Sequence, residues 1–199
     1  TALIDDRIKN NAPPLESFTP QELRTLRAKM AETPEELRVY ISDVVDFTLK
    51  GTLGPITVRK YFNKQSNTVS NQKSSLIIYF HGGGFVMGDL ESHDLVCRHL
   101  CKKTNATIIA VDYKLAPEHK FPAAITDTID SITEIISRAD EFNIDQNKVI
   151  LCGDSAGGAL AAVGTIMSRD KLIPKVHGQI LVYPWVDMTM CRRSMDIDL

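Results

Sequence analysis

The sequence is short of the features that mark several functional classes. Its 199 residues include four cysteines, one tryptophan and no C-x-x-C pair. Cys97, Cys101, Cys152 and Cys191 are therefore expected as buried thiols of a cytosolic protein, not as a disulfide framework. There is no basic excess: 23 Lys and Arg stand against 25 Asp and Glu, a formal charge of −2. That balance argues against non-specific binding to nucleic acid or an anionic membrane. No run is long and apolar enough to span a bilayer, so stable membrane insertion is not expected. Thr1-Ala2-Leu3-Ile4-Asp5-Asp6-Arg7 lacks the charged-then-apolar build of a signal peptide, and nothing repeats internally. The expectation is a soluble cytoplasmic protein of one domain, at most one and a half, with room for a sizeable core. His93, Cys97 and Cys101 fall at i, i+4 and i+8 of a predicted helix, but zinc sites rarely take three ligands from one straight face. Packing accounts for them better, and no metal or organic cofactor is implied.

Hydrophobic periodicity divides the chain in two. Residues 1–43 hold little apolar material, with helix starts at Thr19-Pro20-Gln21-Glu22 and Thr33-Pro34-Glu35-Glu36. They read as an arm or cap segment resting on a core at 44–199. Val44–Leu49 and Ile56–Phe62 alternate as the strands of an antiparallel hairpin around a turn at 51–55. Residues 63–74 are polar and loop-like. Unbroken apolar strands at Leu76–Phe80, Thr107–Asp112, Lys148–Cys152 and Gln179–Tyr183 then alternate with helices at 92–104, at Pro122–Arg138 and after Ser155. This is an α/β fold, a mostly parallel sheet with flanking helices and an N-terminal antiparallel hairpin.

Three stretches carry chemistry. Gly153-Asp154-Ser155-Ala156-Gly157-Gly158 lies between an apolar strand and an Ala-rich helix, the context of a nucleophile elbow. Its small residues permit a turn tight enough to strain the Ser155 backbone. His81-Gly82-Gly83-Gly84-Phe85 follows another strand. Three successive glycines are entropically costly, and an oxyanion hole, which needs backbone N–H donors close to the reacting carbon, accounts for them. Asp112-Tyr113-Lys114-Leu115-Ala116-Pro117-Glu118 ends a third strand, with Asp112 and Glu118 as supporting hydrogen-bond partners. In a parallel sheet all three stretches emerge at the C-terminal edge.

Together, and in this order, the three motifs resemble the hormone-sensitive-lipase group of α/β-hydrolase esterases. The likeness runs from about Pro14 to Asp187, and Gly88-Asp89 and Tyr183-Pro184 also suit the pattern. The resemblance implies Ser155 as nucleophile and the amides of Gly83, Gly84 and Ala156 as oxyanion donors. His81, Gly82 and Asp154 would be supporting residues, His81 by orienting the loop. It also implies an N-terminal arm contributing to a cap.

The same resemblance exposes a departure. In that group an acid and then a histidine follow the serine, on later loops. Here Leu199 comes 44 positions after Ser155, and His177 is the only histidine beyond it. His177 precedes a strand, so it is expected at the opposite sheet edge, roughly 17–20 Å from the elbow. His119 and Asp187 are weak substitutes for base and acid. The resemblance therefore predicts a truncated chain whose last strand is an exposed apolar edge, open to homo-oligomer formation. The leading expectation is a hydrolase of short or medium acyl esters. A non-catalytic small-molecule-binding relative and an inactive fragment are the alternatives.

Overall fold

The computed structural model describes Pro13 and residues 17–30, 37–63 and 73–189. The second helix start, at 33–36, most of the 63–74 loop, and Cys191 lie outside the described residues. Helix α1 (Pro20–Met30) begins with a capping box: the Glu22 amide donates to Thr19 Oγ1 at 3.3 Å, and the Thr19 amide donates to Glu22 Oε2 at 2.7 Å. Strands β1 (Asp43–Leu49) and β2 (Ile56–Phe62) form the expected hairpin in continuous register from Asp43↔Phe62 to Leu49↔Ile56.

The remaining elements are β3 (Ser74–Phe80), α2 (Asp94–Thr104), β4 (Thr107–Asp112), α3 (Ala123–Ser137), β5 (Ile144–Asp154), α4 (Ala156–Arg169) and β6 (Gly178–Val182). They build one six-stranded sheet in the order β1-β2-β4-β3-β5-β6. β2 pairs antiparallel with β4, whereas β4, β3, β5 and β6 run parallel. Strand β5 starts four residues earlier than its apolar run, because Ile144 pairs with Ser74 across a register shift. Gln146 and Asn147 in that added stretch are exposed, which is why hydrophobicity alone missed it.

Alternating side chains of the central strands feed two cores. Leu76, Ile78 and Phe80 of β3 join Ile109, Val111, Ile132, Ile135, Leu151 and Leu160, under α3 and α4. Ile77 and Tyr79 face the other way, with Cys97, Cys101, Ile108 and Cys152 under α2. The three described cysteines are thus buried, free and part of the smaller core. Each fully buried aliphatic side chain contributes about 1.5–3 kcal/mol, so the central strands anchor the fold.

The expected apolar edge is present. Among the described residues β6 pairs only with β5, and Ile180 and Val182 are 42% and 38% exposed. An unpaired edge of this kind offers hydrogen-bond donors and acceptors to another strand. Ile180→Lys is expected to suppress concentration-dependent self-association in sedimentation velocity. A parent chain that sediments as a monomer at every concentration contradicts pairing through this edge.

Candidate active site

Ser155 follows β5 and occupies the N-cap position of α4 with φ 52° and ψ −116°, a backbone region that L side chains avoid. Such a conformation costs about 1–3 kcal/mol and persists only when its surroundings enforce it. Two bonds do so. The Ser155 amide donates to the Val182 carbonyl at 2.9 Å, and the Trp185 amide donates to the Ser155 carbonyl at 3.0 Å. Small residues then let the elbow press on the neighbouring strand. A Cβ on Gly157 would stand 2.0 Å from the Phe80 carbonyl oxygen and 2.6 Å from that of His81. The elbow and the start of the glycine loop are therefore in backbone contact.

Asp154 fastens the two together. Its Oδ1 accepts the Tyr79 hydroxyl at 2.7 Å and the Gly82 amide at 3.0 Å, and His93 Nε2 lies 3.4 Å away. Burial alone would raise this carboxyl, but His93, Tyr79 and the Gly82 amide hold it down at about 2. His93 in turn meets the Ser92 hydroxyl through Nδ1 at 2.9 Å. The residue first weighed as one of three possible metal ligands is thus the partner of a buried carboxylate. Among the described residues, no group of three or more His, Cys, Asp and Glu side chains is arranged to hold a metal. No described helix is long and apolar enough to cross a membrane.

His81 is 2% exposed and stacked on Tyr113, with ring centroids 4.3 Å apart. Its Nδ1 is 2.9 Å from the Gly82 carbonyl, which only accepts, so Nδ1 carries the proton. Nε2 has no hydrogen-bond partner among the described residues. Tyr113 also donates its hydroxyl to the His81 carbonyl at 2.7 Å, pinning the loop from below. After His81 the chain turns sharply. Gly83 has φ +128°, and the amides of Val86 and Met87 both donate to its carbonyl. The amides of Gly83 and Gly84 have no acceptor among the described residues. Ala156 opens α4, where the first N–H groups lack intrahelical acceptors.

The third motif braces this loop. The Ala116 amide donates to the Phe85 carbonyl at 2.8 Å, while Glu118 takes a bidentate contact from Arg24 of α1 at 2.9 and 2.8 Å. Buried Asp127 accepts the Lys114 amide at 2.9 Å and faces its ammonium at 3.3 Å. Glu118 is thus a hydrogen-bond partner, but of the N-terminal arm. Asp112 lines a separate cleft of about 430 Å³ with Arg24, Thr57, Lys114 and His119. His177 stands before β6, where its amide bonds Val149, at the sheet edge opposite the elbow. Asp187 accepts the Thr189 amide and hydroxyl. Sequence reasoning missed Arg24, Tyr79, Tyr113, Lys114 and Asp127 as structural partners of the site. It also missed Trp185, whose ring lies 6.1 Å from that of Phe85.

A strained serine between strand and helix, beside a glycine turn on a mostly parallel sheet, defines an α/β hydrolase. A family described as alpha/beta hydrolase fold matches residues 77–198. The chain belongs to this family, in its hormone-sensitive-lipase group of carboxylesterases. It is 36% identical over 162 residues to Esterase LipI of Mycobacterium tuberculosis, covering 81% of this chain and 50% of the relative. It is 34% identical over 176 residues to an ethyl acetate hydrolase of Pseudomonas putida, covering 87% of this chain and 52% of the relative. The solved hyperthermophilic esterase from the archaeon Pyrobaculum calidifontis superposes with a TM-score of 0.81 at 36% identity, over 92% of this chain and 57% of that one. The chain thus spans about half the length of the relatives it matches.

Two consequences are measurable. Asp154→Ala strands the Tyr79 hydroxyl and the Gly82 amide, and is expected to cost about 2–4 kcal/mol in urea unfolding. The second concerns pH. Burial holds His81 neutral, its pKa pushed down to about 4 from an ordinary 6.5. Between those values the unfolded chain binds a proton that the folded chain refuses, so stability falls as pH drops. Asp112 works oppositely, because burial pushes its carboxyl from 3.8 up to about 6. The folded chain takes that proton first, and stability rises with acid across 6 to 3.8. Asp112→Asn is therefore expected to uncover the His81 loss, on the order of 2–3 kcal/mol between pH 7 and 4.5, where the parent is nearly level. Urea midpoints at both pH values check it.

Proposed function

We propose that the protein hydrolyses carboxylic esters with short or medium acyl chains through covalent catalysis at Ser155. The observation that carries this reading is the strained Ser155 backbone at the start of α4, tied through Asp154 to the glycine loop. A hydroxyl there sits at the positive end of the α4 dipole. Ser155 Oγ attacks the ester carbonyl carbon, and the carbonyl π electrons move onto oxygen. The amides of Gly83, Gly84 and Ala156 receive that negative charge. Collapse expels the alcohol, and water then cleaves the acyl-enzyme to release the acid and restore the hydroxyl. The relatives' names, an esterase and an ethyl acetate hydrolase, favour a small substrate.

The Ser155 proton needs an acceptor. His81 is buried with Nδ1 committed to the Gly82 carbonyl, His93 is engaged by Ser92 and Asp154, and His177 lies at the far sheet edge. The reading assigns the role to none of these three. It keeps residues 1–43 as an arm over the core at 44–199.

Hydrolysis of p-nitrophenyl butyrate by the chain, beside Ser155→Ala at equal concentration, tests the proposal. Steady turnover that Ser155→Ala abolishes is the expected outcome, with a proton acceptor other than His81, His93 or His177. Equal rates from two folded proteins overturn it.

A further inference from the structure

We infer that Arg24 is a positioning residue for the oxyanion loop, so that docking of helix α1 sets the geometry of the ester site. The inference rests on the function proposed above. One guanidinium makes four contacts on two loops. Nε donates to the Val86 carbonyl at 2.8 Å, and Nη2 to the Ala116 carbonyl at 2.9 Å. The Glu118 carboxylate takes the remaining pair, from Nη1 and Nη2. Val86 belongs to the turn closed on the Gly83 carbonyl, and the Ala116 amide holds the Phe85 carbonyl. Arg24 therefore closes a ring that runs from the glycine turn through Phe85, Ala116 and Val86 back to itself.

The attachment is unlike ordinary helix docking. Leu23 and Arg24 are only half-buried, Leu26 is 39% exposed, and no side chain described in α1 is fully buried. An apolar face does not hold this helix. The Arg24 side chain, itself only 23% exposed, is its main tie to the site. A planar fork suits this task, since it presents donors to two carbonyls and a carboxylate at once, which a lysine cannot match. Charge-assisted bonds to main-chain oxygens also fix backbone position, whereas a surface ion pair alone would contribute little.

The test compares the parent with Arg24→Met and Glu118→Gln by hydrogen exchange, and by binding of butylboronic acid read from Trp185, the single tryptophan. Arg24→Met is expected to speed exchange across residues 82–88 roughly tenfold and to weaken boronic-acid binding by a similar factor. Protection of β3 and β4 is expected to stay unchanged. Glu118→Gln keeps both carbonyl bonds and is expected to have a clearly smaller effect on each readout. Faster exchange confined to α1, with residues 82–88 and boronic-acid affinity unchanged, overturns the inference, because Arg24 then anchors only its own helix. Failure of the parent to bind boronic acid counts against the ester reading, while exchange at 82–88 still decides the role of Arg24.

Discussion

The site depends on one buried negative charge. Asp154 stands immediately before the strained serine, yet its carboxylate serves the neighbouring strand and loop, not the serine. It gathers a phenol from β3, an amide from the glycine loop and an imidazole from the chain entering α2. A carboxylate in such a place would ordinarily take up a proton, and the surrounding donors prevent it. Shifting any of these groups leaves charge uncompensated in a poorly solvated region. Electrostatics thus forces elbow and loop into a fixed relation, and the glycines supply the room for it.

Around that centre the two loops are held from opposite sides. Tyr113 and Asp154 grip the beginning of the glycine loop from within the protein. Arg24 and Ala116 grip its outer turn near the surface. The inner contacts are buried, where an unmade hydrogen bond is costly, and the outer ones meet water.

The sequence was most informative where residues act through local physics. Unbroken apolar runs located β3 and β4, because a strand covered on both faces has no polar side to hide, and the same signal located β6 although its side chains are partly exposed. The glycine loop and the elbow announced themselves because few backbones need such small residues. Long-range polar pairing was illegible. Arg24 looked like any cation on a surface helix, since its acceptors lie 62 to 94 positions away. His93 suggested a weak metal pattern with Cys97 and Cys101, although its carboxylate partner comes from β5. Asp127 and Ser131 occupy the buried side of α3, where hydrophobic periodicity gives no place to polar side chains. Asp127 is there because Lys114 is, and no rule of spacing links the two.

The clamp on Ser155 bears on how the protein comes to be folded. Both backbone bonds that hold the serine in its unfavourable conformation come from residues 27 to 30 positions further along, at Val182 and Trp185. Pro184 adds a contact against the Gly158 position. Until that later segment has docked, the Ser155 amide lacks its acceptor and the carbonyl keeps only the Ala159 amide of α4, so less opposes relaxation of Ser155 towards ordinary dihedrals. A nascent chain emerging only as far as α4 already contains the elbow sequence, the Asp154 contacts and five of the six strands, yet it lacks the two bonds from Val182 and Trp185. In the order of synthesis, the bonds that complete the strained serine turn come last, with β6 and the residues behind it.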